Sequence, residues 1–325
     1  MRLNIAVVLL LCCGPVAVSA QTAQQEKTIN LPAGISVEAA SISRTGNLIA
    51  TICSDHVVRV WSARSGELLR SLDENREPPS ALQFSGDGRL LGVAYEIVGY
   101  EKGVIKVFDT DSWKVQHAFA DSLPMYSLTF SPDGLRLAGA GDFDTNVWEL
   151  ASRKKAATIS PPFGSSSSIS FSPDGRWLAS ADGDAFVRVH DANSGSMRSA
   201  TKDFLLEPMA VAFAPDGKSI LAGGADKTIS IIDPESGKVT RAFPKQPGLV
   251  WLLDVSADGK QAAAVYRSAE RFLDINQLAL WDLAKGTAIA DFQKPGVTIV
   301  GGAFVGDHYL FTAASGNELT VWSIQ

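Results

Sequence analysis

The chain has 325 residues, of which 46% are hydrophobic and 8% aromatic, which is enough apolar surface for a large packed core. This composition excludes intrinsic disorder for most of the chain. The formal net charge is −6, so the protein lacks the basic surface that binding to nucleic acid or to an anionic membrane requires.

Residues 1–20 have the pattern of a secretory signal peptide. Arg2 supplies the positive start, residues 3–13 form an apolar stretch, and small residues ending at Ala20 form a cleavage site. The segment is too short to cross a bilayer comfortably, and no other segment approaches the length of a membrane span. We therefore expect an exported protein, periplasmic or secreted, with no membrane span after the signal is cleaved.

The mature chain would contain one cysteine. Cys12 and Cys13 lie in the predicted signal peptide and leave with it, so only Cys53 remains. An internal disulfide is then impossible, and the fold must rest on packing and strand pairing. Cys53 lies in a stretch of small residues, where a buried apolar role is expected.

Residues 21–26 form a short polar tether, and a repeat occupies residues 27–325. Its first marker is an apolar residue directly before a turn, and its second ends a later strand of the same unit. The first marker recurs at Ile42, Phe84, Phe130, Phe171, Phe213, Val255 and Phe304. The second recurs at Trp61, Phe108, Trp148, His190, Ile232, Trp281 and Trp322. The two markers agree on seven units of about forty residues, the period of four-stranded propeller blades.

The fifth unit is the most regular. Pro215-Asp216-Gly217 has the composition of a turn, residues 219–225 read as a strand, Asp226-Lys227 reverses the chain, and residues 228–232 form a β-branched strand. The predicted fold is therefore all-β, a seven-bladed β-propeller of four-stranded antiparallel blades.

The repeats carry the residues of a known family. A tryptophan-aspartate pair ends the third strand at Trp281-Asp282, and an aspartate stands six residues before the second marker in four units. These aspartates are Asp55, Asp142, Asp184 and Asp226. The chain thus resembles the WD-repeat family, with degenerate repeats. The resemblance implies that these aspartates cap the turn between the second and third strands.

The chain departs from the family pattern at one place. The glycine-histidine pair that precedes the first strand in this family is missing from every unit. We therefore do not expect the hydrogen-bonded tetrad of the family in its usual form. Hydrophobic layers and strand ladders should supply most of the blade stability.

The ring must also close. The seventh unit ends at Gln325 on its third strand, with no residues left for a fourth. Residues 27–31 alternate as a strand does. We expect this N-terminal strand to complete the last blade and to remove the exposed edges of an open sheet.

Two units are longer than the others. Residues 95–103 in the second unit and residues 267–274 in the sixth extend the loop between the second and third strands. In propellers of this kind both loops lie on the upper rim, three steps apart in a ring of seven, facing each other across the channel. The predicted partner contacts are Tyr100, Arg267, Arg271 and Phe272 in these insertions, with Tyr126 and Trp251 at equivalent starts of first strands.

Evidence for catalysis is thin, since the sequence has no motif of a hydrolase, a zinc enzyme or a phosphate-binding loop. The pairs Asp142 with Asp144 and Asp182 with Asp184 fall at the repeated turn and offer too few oxygen ligands for calcium. We expect no enzyme activity, no metal and no cofactor. The favoured hypothesis is a monomeric interaction scaffold that binds a protein or peptide on its upper rim. The alternative is a propeller enzyme or small-ligand binder, similar to exported lactonases, with a metal in the channel.

Overall fold

The computed structural model describes residues 23–72, 77–97, 102–122, 125–162, 165–268, 276–306 and 308–324. The predicted signal peptide, residues 1–20, lies outside these ranges. Inside them, the protein contains no helix with the length and apolar character needed to cross a bilayer.

The strands group into seven sheets in chain order. Strand β1 (Gln24–Asn30) comes before the first complete blade. Blade 1 contains β2 (Val37–Ile42), β3 (Leu48–Cys53), β4 (Val58–Ser62) and β5 (Leu68–Leu72). Blade 2 contains β6 (Pro79–Phe84), β7 (Leu90–Ile97), β8 (Lys102–Asp109) and β9 (Val115–Ser122). Blade 3 contains β10 (Met125–Phe130), β11 (Arg136–Gly141), β12 (Thr145–Glu149) and β13 (Lys155–Ile159).

The remaining blades repeat the same plan. Blade 4 contains β14 (Ser166–Phe171), β15 (Trp177–Asp182), β16 (Phe186–Asp191) and β17 (Met197–Thr201). Blade 5 contains β18 (Pro208–Phe213), β19 (Ile220–Gly224), β20 (Ile229–Ile232) and β21 (Val239–Ala242). Blade 6 contains β22 (Leu249–Val255), β23 (Gln261–Arg267), β24 (Asn276–Asp282) and β25 (Thr287–Gln293). Blade 7 contains β26 (Thr298–Val305), β27 (His308–Ser315) and β28 (Glu318–Ile324), with β1 as its fourth strand.

The predicted all-β, seven-bladed propeller is confirmed. Each sheet has four antiparallel strands, in sequential order in blades 1 to 6, and the first strands of successive blades contact one another around the ring. The turn residues account for the repeated reversals: Gly217 adopts a φ of +68° after Pro215 and Asp216, a conformation that side chains with a Cβ rarely adopt. Apolar residues on the facing sides of neighbouring blades fill the space between them.

The predicted closure by the N-terminal strand is also confirmed. Strand β1 pairs antiparallel with β28, so that Thr28 lies opposite Thr320 and Ile29 opposite Leu319. The strand starts at Gln24, three residues before the predicted start, which shortens the expected polar tether. Polar residues can extend this strand because it is the outer edge of its blade and most of its side chains are exposed.

The junction between the last and first blades is unusually close. In β26, a Cβ atom on Gly301 would lie only 2.1 Å from the carbonyl oxygen of Ala40 in β2. Any other residue there would push the two inner strands apart, so this glycine permits the seventh blade to meet the first.

Pairwise contacts replace the family's tetrad. The indole of Trp61 donates a hydrogen bond of 3.0 Å to Thr51 Oγ1, and that of Trp281 donates one of 2.8 Å to the hydroxyl of Tyr266. Each bond joins the second and third strands of one blade. Cys53 is a free thiol, fully buried.

Truncating the closing strand at its buried position should destabilise the protein. Ile29 is 2% exposed, whereas the neighbouring Thr28 points outward. We expect Ile29→Ala to lower the free energy of unfolding by about 2–4 kcal/mol, measured by chemical denaturation. The matched variant Thr28→Ala should change it by less than about 0.5 kcal/mol. Equal effects of the two substitutions would contradict closure through this strand.

Candidate functional site: the upper rim

The upper rim is the face that carries the starts of the first strands and the loops between second and third strands. In every blade the register of the first strand shifts by one residue close to its start. The seven bulged residues are Glu38, Ser80, Tyr126, Ser167, Met209, Trp251 and Val300. A β-bulge leaves one residue out of the ladder and redirects its side chain. Six of these side chains are at least partly exposed at the rim and differ in chemistry, whereas Val300 is buried in the core.

Two of these side chains are large, aromatic and exposed. Tyr126 is 46% exposed and Trp251 44% exposed. They stand in blades 3 and 6, three steps apart in a ring of seven, and therefore on opposite sides of the channel mouth. The structure thus places both residues at the equivalent positions that the sequence indicated.

Tyr126 is held in place by its neighbour. Its hydroxyl donates a hydrogen bond of 2.7 Å to Asp142 Oδ2. This bond is the main cause that raises the pKa of Tyr126 to about 12, so the hydroxyl stays protonated at neutral pH. Phe143, next to Asp142 in sequence, is 62% exposed and enlarges the aromatic surface of blade 3.

Trp251 is paired with Arg267. The guanidinium carbon of Arg267 lies 4.4 Å from the centroid of a Trp251 ring, within the range of a cation–π contact. Its Nη2 donates a hydrogen bond of 3.3 Å to the carbonyl oxygen of Ile299 in blade 7. Burial lowers the pKa of Arg267. The pair therefore sits at the junction of blades 6 and 7.

The four turn aspartates do not act alike. Asp226 accepts hydrogen bonds from the backbone N–H of Thr228, at 3.0 Å, and from its hydroxyl, at 2.6 Å. Asp55 accepts a longer bond of 3.3 Å from the backbone of Val57 and also pairs with Arg59. Both caps agree with the role that the family resemblance implies.

Asp142 and Asp184 bind side chains instead of turn amides. Asp142 accepts the hydroxyl of Tyr126, as described above. Asp184 accepts two bonds, of 2.8 and 2.6 Å, from the guanidinium of Arg188. In these two turns a side-chain donor, the Tyr126 hydroxyl or the Arg188 guanidinium, takes the place that the turn amide has at Asp226.

Arg188 also neutralises the second carboxylate of its pair. Its Nη1 lies 2.6 Å from Asp182 Oδ2, and the Ser166 hydroxyl donates a 2.7 Å bond to Asp182 Oδ1. The bond to Asp184, ahead of the opposing effect of burial, raises the pKa of Arg188. The Asp182 and Asp184 pair is thus occupied by an internal cation. The signal in the sequence was an aspartate followed four residues later by arginine, present also as Asp55 and Arg59.

No metal site is evident among the described residues. In those ranges no three histidine, cysteine, aspartate or glutamate side chains lie close enough together to hold an ion. The alternative of a channel metal therefore has no ligand set in this part of the chain.

The turns of the lower face share one hydrogen bond in four of the seven blades. There a serine before the turn donates to the turn aspartate, for example Ser172 to Asp174 at 2.5 Å, and this bond lowers the pKa of Asp174. Blade 5 has Ala214 instead of serine. A shallow cavity of about 380 Å³ lies there, between the turns of Asp216 and Asp258. These carboxylates accept hydrogen bonds from the backbone N–H groups of their own turns.

Three predicted contacts, Tyr100, Arg271 and Phe272, lie outside the described residues and remain predictions. Arg267 and Trp251 lie together, whereas Tyr126 stands in another blade.

The repeat also appears in a comparison with protein families. The model described as "WD domain, G-beta repeat" matches residues 157–191 and 207–233, which span most of blades 4 and 5 between them. Two of the seven blades of this closed propeller therefore carry recognisable WD40 repeats.

The chain is similar to several proteins that share one name. It is 27% identical to eukaryotic translation initiation factor 3 subunit I of Bombyx mori over 164 residues, 45% of this chain and 48% of that protein. The corresponding human protein is 26% identical over 145 residues, 40% of this chain and 43% of that protein. That of Drosophila grimshawi is 27% identical over 191 residues, 53% of this chain and 56% of that protein. The chain spans about half the length of the curated relatives that it matches. Their name describes a subunit of a translation initiation factor.

Removing Arg188 should leave a buried carboxylate without its counter-ion. The Asp182 side chain is 1% exposed, so we expect Arg188→Leu to lower the free energy of unfolding by about 3–5 kcal/mol. Adding Asp182→Asn should restore part of that loss because it removes the stranded charge. In the control, Arg59→Leu, the loss should be smaller because the Asp55 side chain is 30% exposed. The free energies of unfolding are measured by chemical denaturation. Equal losses for the Arg188 and Arg59 variants would contradict the role of Arg188 as the counter-ion of the buried Asp182.

Proposed function

We propose that this protein is a non-catalytic interaction scaffold, a monomeric propeller that presents its upper rim to a protein or peptide partner. The observation that carries the proposal is the ring of seven bulged residues. It places Tyr126 and Trp251, both large and half-exposed, on a rigid repeated backbone. Tryptophan, tyrosine and arginine dominate the energetics of protein interfaces, and Arg267 lies directly against Trp251.

The similarity to initiation factor subunits supports the same proposal. A subunit is by name a component of an assembly of several chains, and the similar region lies within a propeller. Identity of about 27% over half of each chain supports partner binding as a class of function. It supports no particular partner, because propellers carry their specificity in surface residues.

Export is a separate part of the proposal and rests on residues 1–20 alone. The relatives give it no support, since their name refers to translation. N-terminal sequencing of the protein purified from its native host would decide the matter. Export requires a mature protein that begins at Gln21, and an intact N-terminus in the cytosolic fraction would refute it.

Removing the two rim aromatics should abolish most partner binding without unfolding the ring. We expect the double variant Tyr126→Ala with Trp251→Ala to capture about tenfold less partner than the unaltered protein, or less still. The measurement is affinity capture from the native host, quantified by mass spectrometry, with melting temperatures to verify folding. A second variant should replace Tyr100, Arg271 and Phe272 together by alanine.

The matched control changes exposed apolar residues away from the rim. Leu68 and Met197 lie on the outer strands β5 and β17 and are 49% and 61% exposed. Replacing both by alanine should leave the captured set unchanged. If the rim variants capture the same proteins in the same amounts as the control, the proposed scaffold function is wrong.

A further inference from the structure

Arg267 is an unusual cation for a protein rim. It follows Tyr266 at the end of β23, and its side chain is largely covered. Among the described residues its guanidinium has one hydrogen-bond partner, the carbonyl oxygen of Ile299, and its buried Nε has none. The described part of the chain supplies no carboxylate to this arginine, whereas Arg59 and Arg188 each have one or two.

Within the part of the chain that the structure describes, Arg267 has no counter-ion, and this has an energetic consequence. A guanidinium has five N–H donors, and a covered charge without a partner costs free energy because it has lost part of its hydration. The face of Trp251 offsets some of this cost through the cation–π contact. An incoming anion would gain a charge-assisted bond to a cation that is already partly desolvated.

The surroundings hold Arg267 in a fixed position. Tyr266, which precedes it, is 1% exposed, and its hydroxyl is bonded to the indole of Trp281. Leu249 lies opposite Arg267 in the ladder between β22 and β23, and the bulge at Trp251 brings that indole up against the guanidinium. A charged group fixed in this way loses little conformational entropy when it binds.

We propose that Arg267 and Trp251 form an acidic-residue subsite, in which the carboxylate of an aspartate or glutamate from the partner binds the guanidinium of Arg267. An apolar group of the same partner segment packs against the exposed part of Trp251. The subsite rests on the proposed scaffold function and names the chemistry of its partner. One guanidinium balances the single charge of a carboxylate, whereas a phosphate carries about −1.5 to −2 charges and calls for a second cation.

The test selects binding peptides from a random library, so the identity of the natural partner is not needed. Displayed twelve-residue peptides are selected on the unaltered protein and, in parallel, on Arg267→Gln. The unaltered protein should enrich one position for aspartate or glutamate beside an apolar residue, and the Arg267→Gln pool should lack this enrichment. Arg89→Gln serves as the control, because its side chain is 83% exposed on the lower face and its loss removes the same charge.

A double-mutant cycle then assigns the contact. For the best peptide, replacing its acidic residue by glutamine should weaken binding to the unaltered protein on the order of thirtyfold, as expected for a covered charge pair. The same replacement should have little effect on binding to Arg267→Gln, and Arg267→Lys should recover only part of the affinity because it lacks the planar fork. Amidated and phosphoserine versions of the peptide show whether a terminal carboxylate or a phosphate binds better.

The outcomes separate the two proposals. Peptides that bind through Tyr126 and Trp251 but show no acidic preference would overturn the subsite and leave the scaffold function standing. Stronger binding of the phosphoserine peptide, or loss of binding only on amidation, would also overturn the subsite as stated. Failure to select any peptide that depends on the rim would overturn both.

Discussion

The pairing of β1 with β28 is the interaction on which the rest of this structure depends. A propeller blade with three strands would expose a sheet edge, and the seam between the last blade and the first would have only inner-strand contacts to hold it. The hydrogen-bonded ladder from Gln24 to Asn30 ties the two ends of the chain into one sheet. Gly301 completes the seam from inside, because only a residue without a side chain permits β26 to approach Ala40.

Closure joins seven similar blades into one rigid ring. The two faces of this ring differ in how much their residues vary from blade to blade. In four of the seven blades the lower turns repeat the same serine-to-aspartate hydrogen bond. At the upper rim every blade has the bulge, but the bulged residue differs between blades. Serine is the one residue type that occurs at this position in two blades. Constant backbone with varied side chains is the arrangement that allows one fold to acquire a specific partner.

Most of the fold could be predicted from the sequence because two independent markers recur with the same period. Closure followed from counting strands, since the seventh unit ends one strand short. The exact start of β1 was missed because polar residues on an outer strand carry no alternating pattern. The rim positions of Tyr126 and Trp251 were found from their equivalent places in the repeat. The bulge that redirects their side chains could not be predicted from the sequence. It depends on how residues such as Val250 and Leu252 pair with the next strand.

The electrostatic partners were only partly visible in the sequence, where an arginine follows Asp55 and Asp184 by four residues. Asp182 and Asp184 suggested a cap or a metal ligand, and only the register between β15 and β16 shows that Arg188 reaches both. Arg267 was chosen for its place in an insertion. Its burial, its contact with Trp251 and its lack of a carboxylate among the described residues are properties of the folded junction between blades 6 and 7.

Site-specific photo-crosslinking in the native host tests the central claim most directly. A photoreactive phenylalanine analogue is placed at Tyr126 or Trp251 on the rim, and at Leu68 or Met197 on the outer strands. We expect crosslinks to the same partner from both rim positions and none from the outer strands. Crosslinks that form from the outer strands and not from the rim would contradict it.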